Sequence, residues 1–462
     1  MDDKDVIIAA QAALIAEQDR LIGALREQIQ KLEEKIASLK KNSHNSSKPP
    51  SSDIVKPDRG PRRRGKRKRG GQPGHRKFTR APFPPEQVDR VEVIELPPEK
   101  AAGLVKLDTY AVLQQVELPK KMYRVTEYRA CQYFNPVTGR IITTPLPPLI
   151  RQAGLCGARL SALVAFLKSS CHGSFGTIQR FCGEVLHLRI STGQLAKVIQ
   201  KVAQALRQPY QALQAQLPNE PALGSDETGH HDRGKLHWLW CLQTARFDFF
   251  HINRSRGSKV LRKLLGRHFK GVVHSDYYSS YRKFARLARA LMQYCLAHLI
   301  RELRFLAEHH LQSLVRWAKK LLGWLRKMFK LWHQREQSNP EKVRAGLVRL
   351  REQFLQVMRR PPRHPLARKL ARRFQGTRAE DYFRFIERPG LEPTNNATER
   401  ALRGAVIDRK VTQGTCGQPG MRWRERSWTV LGTCRKQNRN VLTYLHQALR
   451  AHWQGQPAPQ LI

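Results

Sequence analysis

The chain has 462 residues, about three folded units at roughly 150 residues each, and carries 84 Lys and Arg against 37 Asp and Glu, a formal net charge of +47. That surplus exceeds what solubility asks for and points to a polyanionic partner; nucleic acid fits better than an anionic membrane, because the charge is spread along the whole length. The eight cysteines include no C-x-x-C pair, no run of 18 apolar residues exists, and the first residues are acidic, Asp2, Asp3 and Asp5, so neither a disulfide framework, a self-contained zinc cluster, a membrane span nor a secretory leader is signalled.

Residues 1–41 carry a heptad. Ile8, Ile15, Ile22, Ile29 and Ile36 repeat on one position and Leu25, Leu32 and Leu39 fall three residues later, a pattern that predicts a parallel two-stranded coiled coil. A single amphipathic helix packed on its own domain is the alternative. From 42 to 85 the composition turns to Ser, Pro and Gly with a dense basic run, Arg62, Arg63, Arg64, Lys66, Arg67, Lys68 and Arg69. Such a segment cannot bury enough apolar surface to offset its ordering entropy and reads as an arm for phosphate contact.

Residues 86–150 alternate apolar and polar residues between prolines, as in V-E-V-I-E-L and M-Y-R-V-T-E-Y, and suggest a small β-rich unit. Residues 151–217 turn helical, with Ser191 or Thr192 as a candidate N-cap; the pair of helices there is either a helix-turn-helix or a plain hairpin. From 218 the order becomes specific. A-L-G-S-D, L-H-W-L-W-C-L-Q and F-D-F-F-H-I read as three strands, S-K-V-L-R-K-L-L as a helix, G-V-V-H-S-D as a strand, residues 281–287 as a helix and L-M-Q-Y-C as a strand. That is the order of a ribonuclease-H-like α/β domain, here 218–298 and 377–450, interrupted by a basic helical insertion at 299–376 and followed by a tail at 451–462. The fold class expected is therefore multidomain α+β.

Three acids stand out within that order: Asp226 at the end of the first strand, Asp276 at the end of the fourth, and Glu399 opening a helix about 120 residues later, with Thr394, Asn395 or Asn396 available to cap it. Hard carboxylate oxygens so placed suit two Mg²⁺ or Mn²⁺ ions about 3.5 to 4 Å apart, activating an attacking hydroxyl and stabilising the leaving oxygen of a phosphoryl displacement. Glu227 should point to the other side of its strand. His230 and His231 read as surface histidines, with phosphate or water positioning as the other role. Arg403 shares a face with Glu399 at i+4, either neutralising it or contacting a DNA strand.

Several segments then converge: S-S-K-P-P-S-S-D, G-G-Q-P-G-H, D-E-T-G, S-D-Y-Y-S-S-Y, C-L-A-H-L-I-R-E-L and N-N-A-T-E-R-A-L-R followed by R-K at 409 and 410. In these, and in the leading heptad, the chain resembles the transposases of the bacterial insertion-sequence family numbered sixty-six, of the DDE superfamily. The resemblance implies that Asp226, Asp276 and Glu399 bind two metal ions, cleave transposon ends and join them to target DNA. It implies double-stranded DNA contacts at the basic run and at Arg400, Arg403, Arg409 and Lys410, a homodimer or higher oligomer, accessory proteins from the same element, and a bacterial cytoplasmic, nucleoid-associated setting. Cys295 and His298, spaced C-x-x-H, are expected to pack beside the site. The family's cysteine-rich module is reduced here to Cys131, which puts a structural zinc in doubt. A DNA-binding relative without catalysis, such as a repressor of the same element, is the alternative; a resolvase-like nuclease would have no reason to carry coil, arm and insertion together.

Overall fold

A computed structural model describes residues 3–39, 81–101, 104–105, 107–119 and 121–462. It is mixed α+β and divides into two compact units, Met1–Pro57 with Ala130–Ile462, and Asp58–Arg129. The basic run from Arg62 to Arg69 lies outside the described residues.

The smaller unit holds, among the described residues, a 3₁₀ turn at Pro85–Gln87 and the short helix α2, Pro98–Ala101. The strands expected at 91–96 and 122–128 do not form. Alternation alone does not make a strand: Val91, Ile94 and Val125 are exposed and meet no second sheet to bury against. The ladder found between 86 and 150 is one antiparallel hairpin, β1 (Gln132–Asn135) with β2 (Arg140–Thr143), and it belongs to the larger unit.

That unit begins with α1, Asp3–Leu39. The five heptad isoleucines remain 45 to 63% exposed, so the stripe is not buried against the helix's own chain. After α3 (Pro148–Ala153), the chain breaks at Gly154, whose φ is +62°. There follow α4 (Ala158–Ser169), α5 (Phe175–Glu184), α6 (Thr192–Ala205) and α7 (Arg207–Gln216). The segment Pro148–Ser169 has the length and hydropathy of a membrane span, yet the break divides it and Ala162, Val164 and Ala165 of α4 enter the hydrophobic core. Ser191 caps α6, its Oγ accepting from the Gln194 amide at 3.2 Å. The α5 to α6 connection, residues 185–191, exceeds the three to four residues of a helix-turn-helix turn.

The central sheet has the expected sequence of elements: β3 (Ala222–Asp232), β4 (Lys235–Gln243), β5 (Asp248–Asn253), α8 (Ser258–Leu265), β6 (Val272–Ser275), α9 (Ser279–Ala288) and β7 (Leu291–Tyr294). Its spatial order is β5-β4-β3-β6-β7, antiparallel through β3, β4 and β5 and parallel through β3, β6 and β7. One boundary differs from expectation. Asp226 lies in mid-strand opposite Cys241, because the polar run after it keeps pairing with β4 down to a two-residue turn. Arg233 and Gly234 make that turn, both at positive φ, the form that matches strand twist.

Beyond β7 the chain is almost wholly helical: α10 (Leu296–Ala307), α11 (Gln312–His333), α12 (Pro340–Arg359), α13 (Pro365–Ala371) and α14 (Glu380–Phe383). Trp317, Leu321, Leu325 and Trp332 of α11 are buried, so its apolar stripe is core. Finally come α15 (Asn396–Thr412), α16 (Gln418–Lys436) and α17 (Val441–Trp453). Helix α16 lies along the outer edge of β5. Its Glu425 Oε1, Thr429 Oγ1 and Thr433 Oγ1 accept the backbone N–H groups of Ile252, Phe250 and Asp248 at 2.8, 3.0 and 3.4 Å.

Candidate active site

Asp226 and Asp276 sit on neighbouring parallel strands, one in the middle of β3 and the other just past the end of β6. One hydrogen-bond relay ties both strands to the helix of Glu399. The Ser275 carbonyl accepts the Cys295 amide at 2.8 Å; the Cys295 Sγ accepts the Asn395 amide at 3.2 Å; the Asn395 side-chain amide donates to the Ser225 carbonyl at 3.0 Å. The relay thus joins the residue before Asp226, the residue before Asp276 and the N-cap of α15. Thr398 Oγ1 donates to Asn395 Oδ1 at 2.6 Å and holds that side chain in place. The helix can come this close because position 224 is glycine: a Cβ there would lie 2.7 Å from Asn395 Oδ1 and closer still to Thr398 Oγ1. Asn395 occupies the cap position, yet its side chain holds the neighbouring strand and makes no cap bond.

The three acids share one electrostatic environment. Burial, first, and then the charges of Glu227, Asp276 and Glu399 push the Asp226 carboxyl well above the usual range, against one hydrogen bond from the Glu227 amide. Burial also raises Asp276, opposed by the Tyr278 amide and by Arg256, and reinforced by Glu302. In Asp226 and Asp276 burial thus outweighs the groups that favour the ionised form. Arg301 stands 3.9 Å from Glu399, and among the described residues no ion pair joins Glu399 to Arg403; the guanidinium beside the third acid comes from α10. Among the described residues, no three His, Cys, Asp or Glu side chains stand together as a ready cage for an ion. The donors suit hard divalent cations in type and in charge.

Glu227 is buried and turned away. It accepts from Tyr281 and from Arg256 Nε, the latter at 2.8 Å, while Arg256 lies over the rings of Trp238 and Tyr278 at 4.5 and 4.1 Å. His230 is a correction: it is buried, bonded through Nε2 to Thr415 Oγ1 at 3.1 Å, and burial holds its pKa down to about 4. The β3 strand runs on past Asp226 and carries it into the core under Trp428. His231 is exposed. Asp232 accepts from Thr415 Oγ1 and the Gly417 amide, both at 2.7 Å, and so pins the loop between α15 and α16.

Cys295 is buried and serves as the sulfur acceptor of the relay. His298 is half-buried, with its Nδ1 buried and unpartnered among the described residues, and desolvation together with Arg301 lowers its pKa to about 4. Arg400, Arg403 and Lys410 are exposed. Arg409 is a correction, since its Nη1 is committed to β3, donating to Thr228 Oγ1 at 3.1 Å and to the Gly229 carbonyl. Residues that sequence reasoning passed over are Asn395 as a clamp, Arg301 and Glu302. The last two lie in the C-L-A-H-L-I-R-E-L segment, where their i+3 and i+4 spacing from His298 was the available signal.

A family model described as Transposase IS66 family matches residues 153–422, and a family of unknown function, DUF6444, matches residues 7–81. No curated protein matches the chain. The first match spans more than half of the sequence and takes in Asp226, Asp276, Glu399 and the whole relay between them, and on that ground the chain belongs to the transposase IS66 family, whose members act on DNA.

Proposed function

We propose that the chain is a DDE-type transposase that cleaves transposon ends and transfers the freed 3′-hydroxyl into target DNA, with Asp226, Asp276 and Glu399 as the ligands of two Mg²⁺ ions. The observation that carries this reading is the relay through Cys295 and Asn395, which ties the residues preceding Asp226 and Asp276 to the N-cap of the helix that carries Glu399. The sheet order, with β3 central and β6 and β7 parallel to it, is the one a ribonuclease-H-like domain would have and supports the same reading.

When bound, the ions would supply Lewis-acid stabilisation of both the attacking and the leaving oxygens. The chain's own residues do the rest. Asp226 and Asp276 offer oxygens whose ionised form burial disfavours, while Glu227 is kept out of competition by Tyr281 and Arg256. Arg400, Arg403 and Lys410 present exposed cations along α15 for the phosphates that flank the reacting bond, and the basic run at Arg62–Arg69 adds sequence-blind affinity. The exposed heptad face of α1 pairs with the same face of a second copy.

A DNA-binding protein without catalysis is the second reading, favoured by the lack of a ready three-ligand cage among the described residues. Matched transposon ends, Mg²⁺ and the element's accessory proteins separate the two. End cleavage that disappears in Asp226→Asn while DNA binding persists supports the enzyme; binding with no cleavage under any divalent cation supports the alternative.

A further inference from the structure

The helical insertion contains a cavity of about 710 Å³ between α12, α13 and the 3₁₀ turns that follow them. Its rim carries Arg351, Arg359, Arg368 and Arg372, with two acids, Glu352 and Glu380. Both acids are already matched: Glu352 pairs with Arg351 at 3.2 Å and Glu380 with Arg384 at 3.8 Å. Arg359, Arg368 and Arg372 are exposed and have no ion pair among the described residues. The cleft therefore holds three uncompensated guanidiniums, the fork geometry that suits phosphate oxygens.

The cleft also reaches the neighbourhood of the candidate active site. Phe374 in its wall stacks on Tyr382 at 4.5 Å, and Tyr382 stacks on Tyr277 at 6.1 Å. Tyr277 is the residue after Asp276. Arg373, next to Arg372, lies over the Tyr277 ring at 4.3 Å and pairs with Glu302 at 2.8 Å. Two aromatic contacts thus connect the wall of the cleft to the residue that follows Asp276.

We propose that this cleft is a docking channel for the phosphate backbone of the DNA strand as it leaves the Asp226, Asp276 and Glu399 site, held by Arg359, Arg368 and Arg372. The inference rests on the reading of that site as the place of reaction, but its test does not require cleavage. Affinity of the full chain for a DNA duplex is measured across a salt series for the parent, for the triple Arg359→Ala, Arg368→Ala, Arg372→Ala variant, for the corresponding triple Lys variant, and for a control that removes equal charge from exposed positions of α11, Lys319→Ala, Lys320→Ala, Arg326→Ala.

Each phosphate contact adds about 0.9 to the slope of log affinity against log salt. The arginine-to-alanine triple is expected to lower that slope by about 2 to 3, the lysine triple to keep it, and the α11 control to change it by less than about 1. An unchanged slope in the alanine triple, or an equal drop in the control, overturns the channel. Circular dichroism of the alanine triple matching the parent assigns the loss to the surface. Intact binding and slopes with no Mg²⁺-dependent cleavage would overturn the two-metal reading and leave the channel standing, whereas a parent that ignores DNA overturns both.

Discussion

The side-chain amide of Asn395 donates to the backbone carbonyl of Ser225 at 3.0 Å, across 170 residues of sequence. Both groups are buried, so this bond fixes where α15, and with it Glu399, stands relative to Asp226. Losing a buried partner of this kind costs about 1 to 3 kcal/mol. Asn395→Ala should lower the melting temperature and reduce DNA end cleavage by at least tenfold, and Gly224→Ala should do the same by pushing Thr398 and Asn395 outward. Cleavage at the parent rate in both variants would remove the clamp from the mechanism.

Removing charge at the site should stabilise the protein. The Asp226 carboxyl is raised above its unfolded value of about 3.9, so ionising it in the folded state costs stability; that penalty is absent below the unfolded value and is fully present above the folded one. Asp226→Asn is therefore expected to unfold at a higher temperature than the parent at pH 8 without metal. Millimolar Mg²⁺ should raise the parent's midpoint and leave that of the variant nearly unchanged. A midpoint that ignores Mg²⁺ in both proteins would count against ion binding by this acid.

Buried His230 and His274 and half-buried His298 weaken the fold on the acid side. Burial lowers His230 and His298 to about 4 and His274 to about 3, whereas the unfolded chain binds those protons near pH 6.5. Their contribution is complete above pH 6.5 and is lost as pH falls toward 4, because unfolding takes up protons. Denaturant titrations should show stability falling over that window by at most about 1.4 kcal/mol per pH unit for each histidine. His230→Gln should flatten the profile, and a profile of unchanged steepness would dismiss its part.

The heptad face of α1 makes a prediction about mass. Ile22→Asp with Ile29→Asp places charge in the middle of the exposed stripe and should halve the mass seen by light scattering, while circular dichroism outside that helix stays the same. An oligomer of unchanged size would assign assembly to another surface.

The order of elements around the site was legible because each carries its own period: V-V-H-S before Asp276 is a buried strand, and S-K-V-L-R-K-L-L keeps one apolar face as α8. What escaped the pattern depended on distant partners. Nothing in E-T-G-H-H-D announces a strand, since its polar residues gain their place from β4 across the Arg233 and Gly234 turn. His230 is buried for the same reason. Cys295 and Asn395 lie 100 residues apart, and neither residue type at its own position signals that one will accept from the other. At 91–96 and 122–128 the reverse happened: the alternation was present and the partner strands were not.

Helix α16 does for β5 what another strand would do. A bare strand edge offers its N–H groups to any chain that passes, and here Glu425, Thr429 and Thr433, spaced one turn apart, take those of Ile252, Phe250 and Asp248 in turn. The seal is made after every catalytic candidate has already been synthesised. A product that stops before residue 418 would hold all three acids and still expose that row of donors, so it would recruit other copies edge to edge and leave solution. Such truncated copies would poison themselves by aggregation before they could compete for DNA.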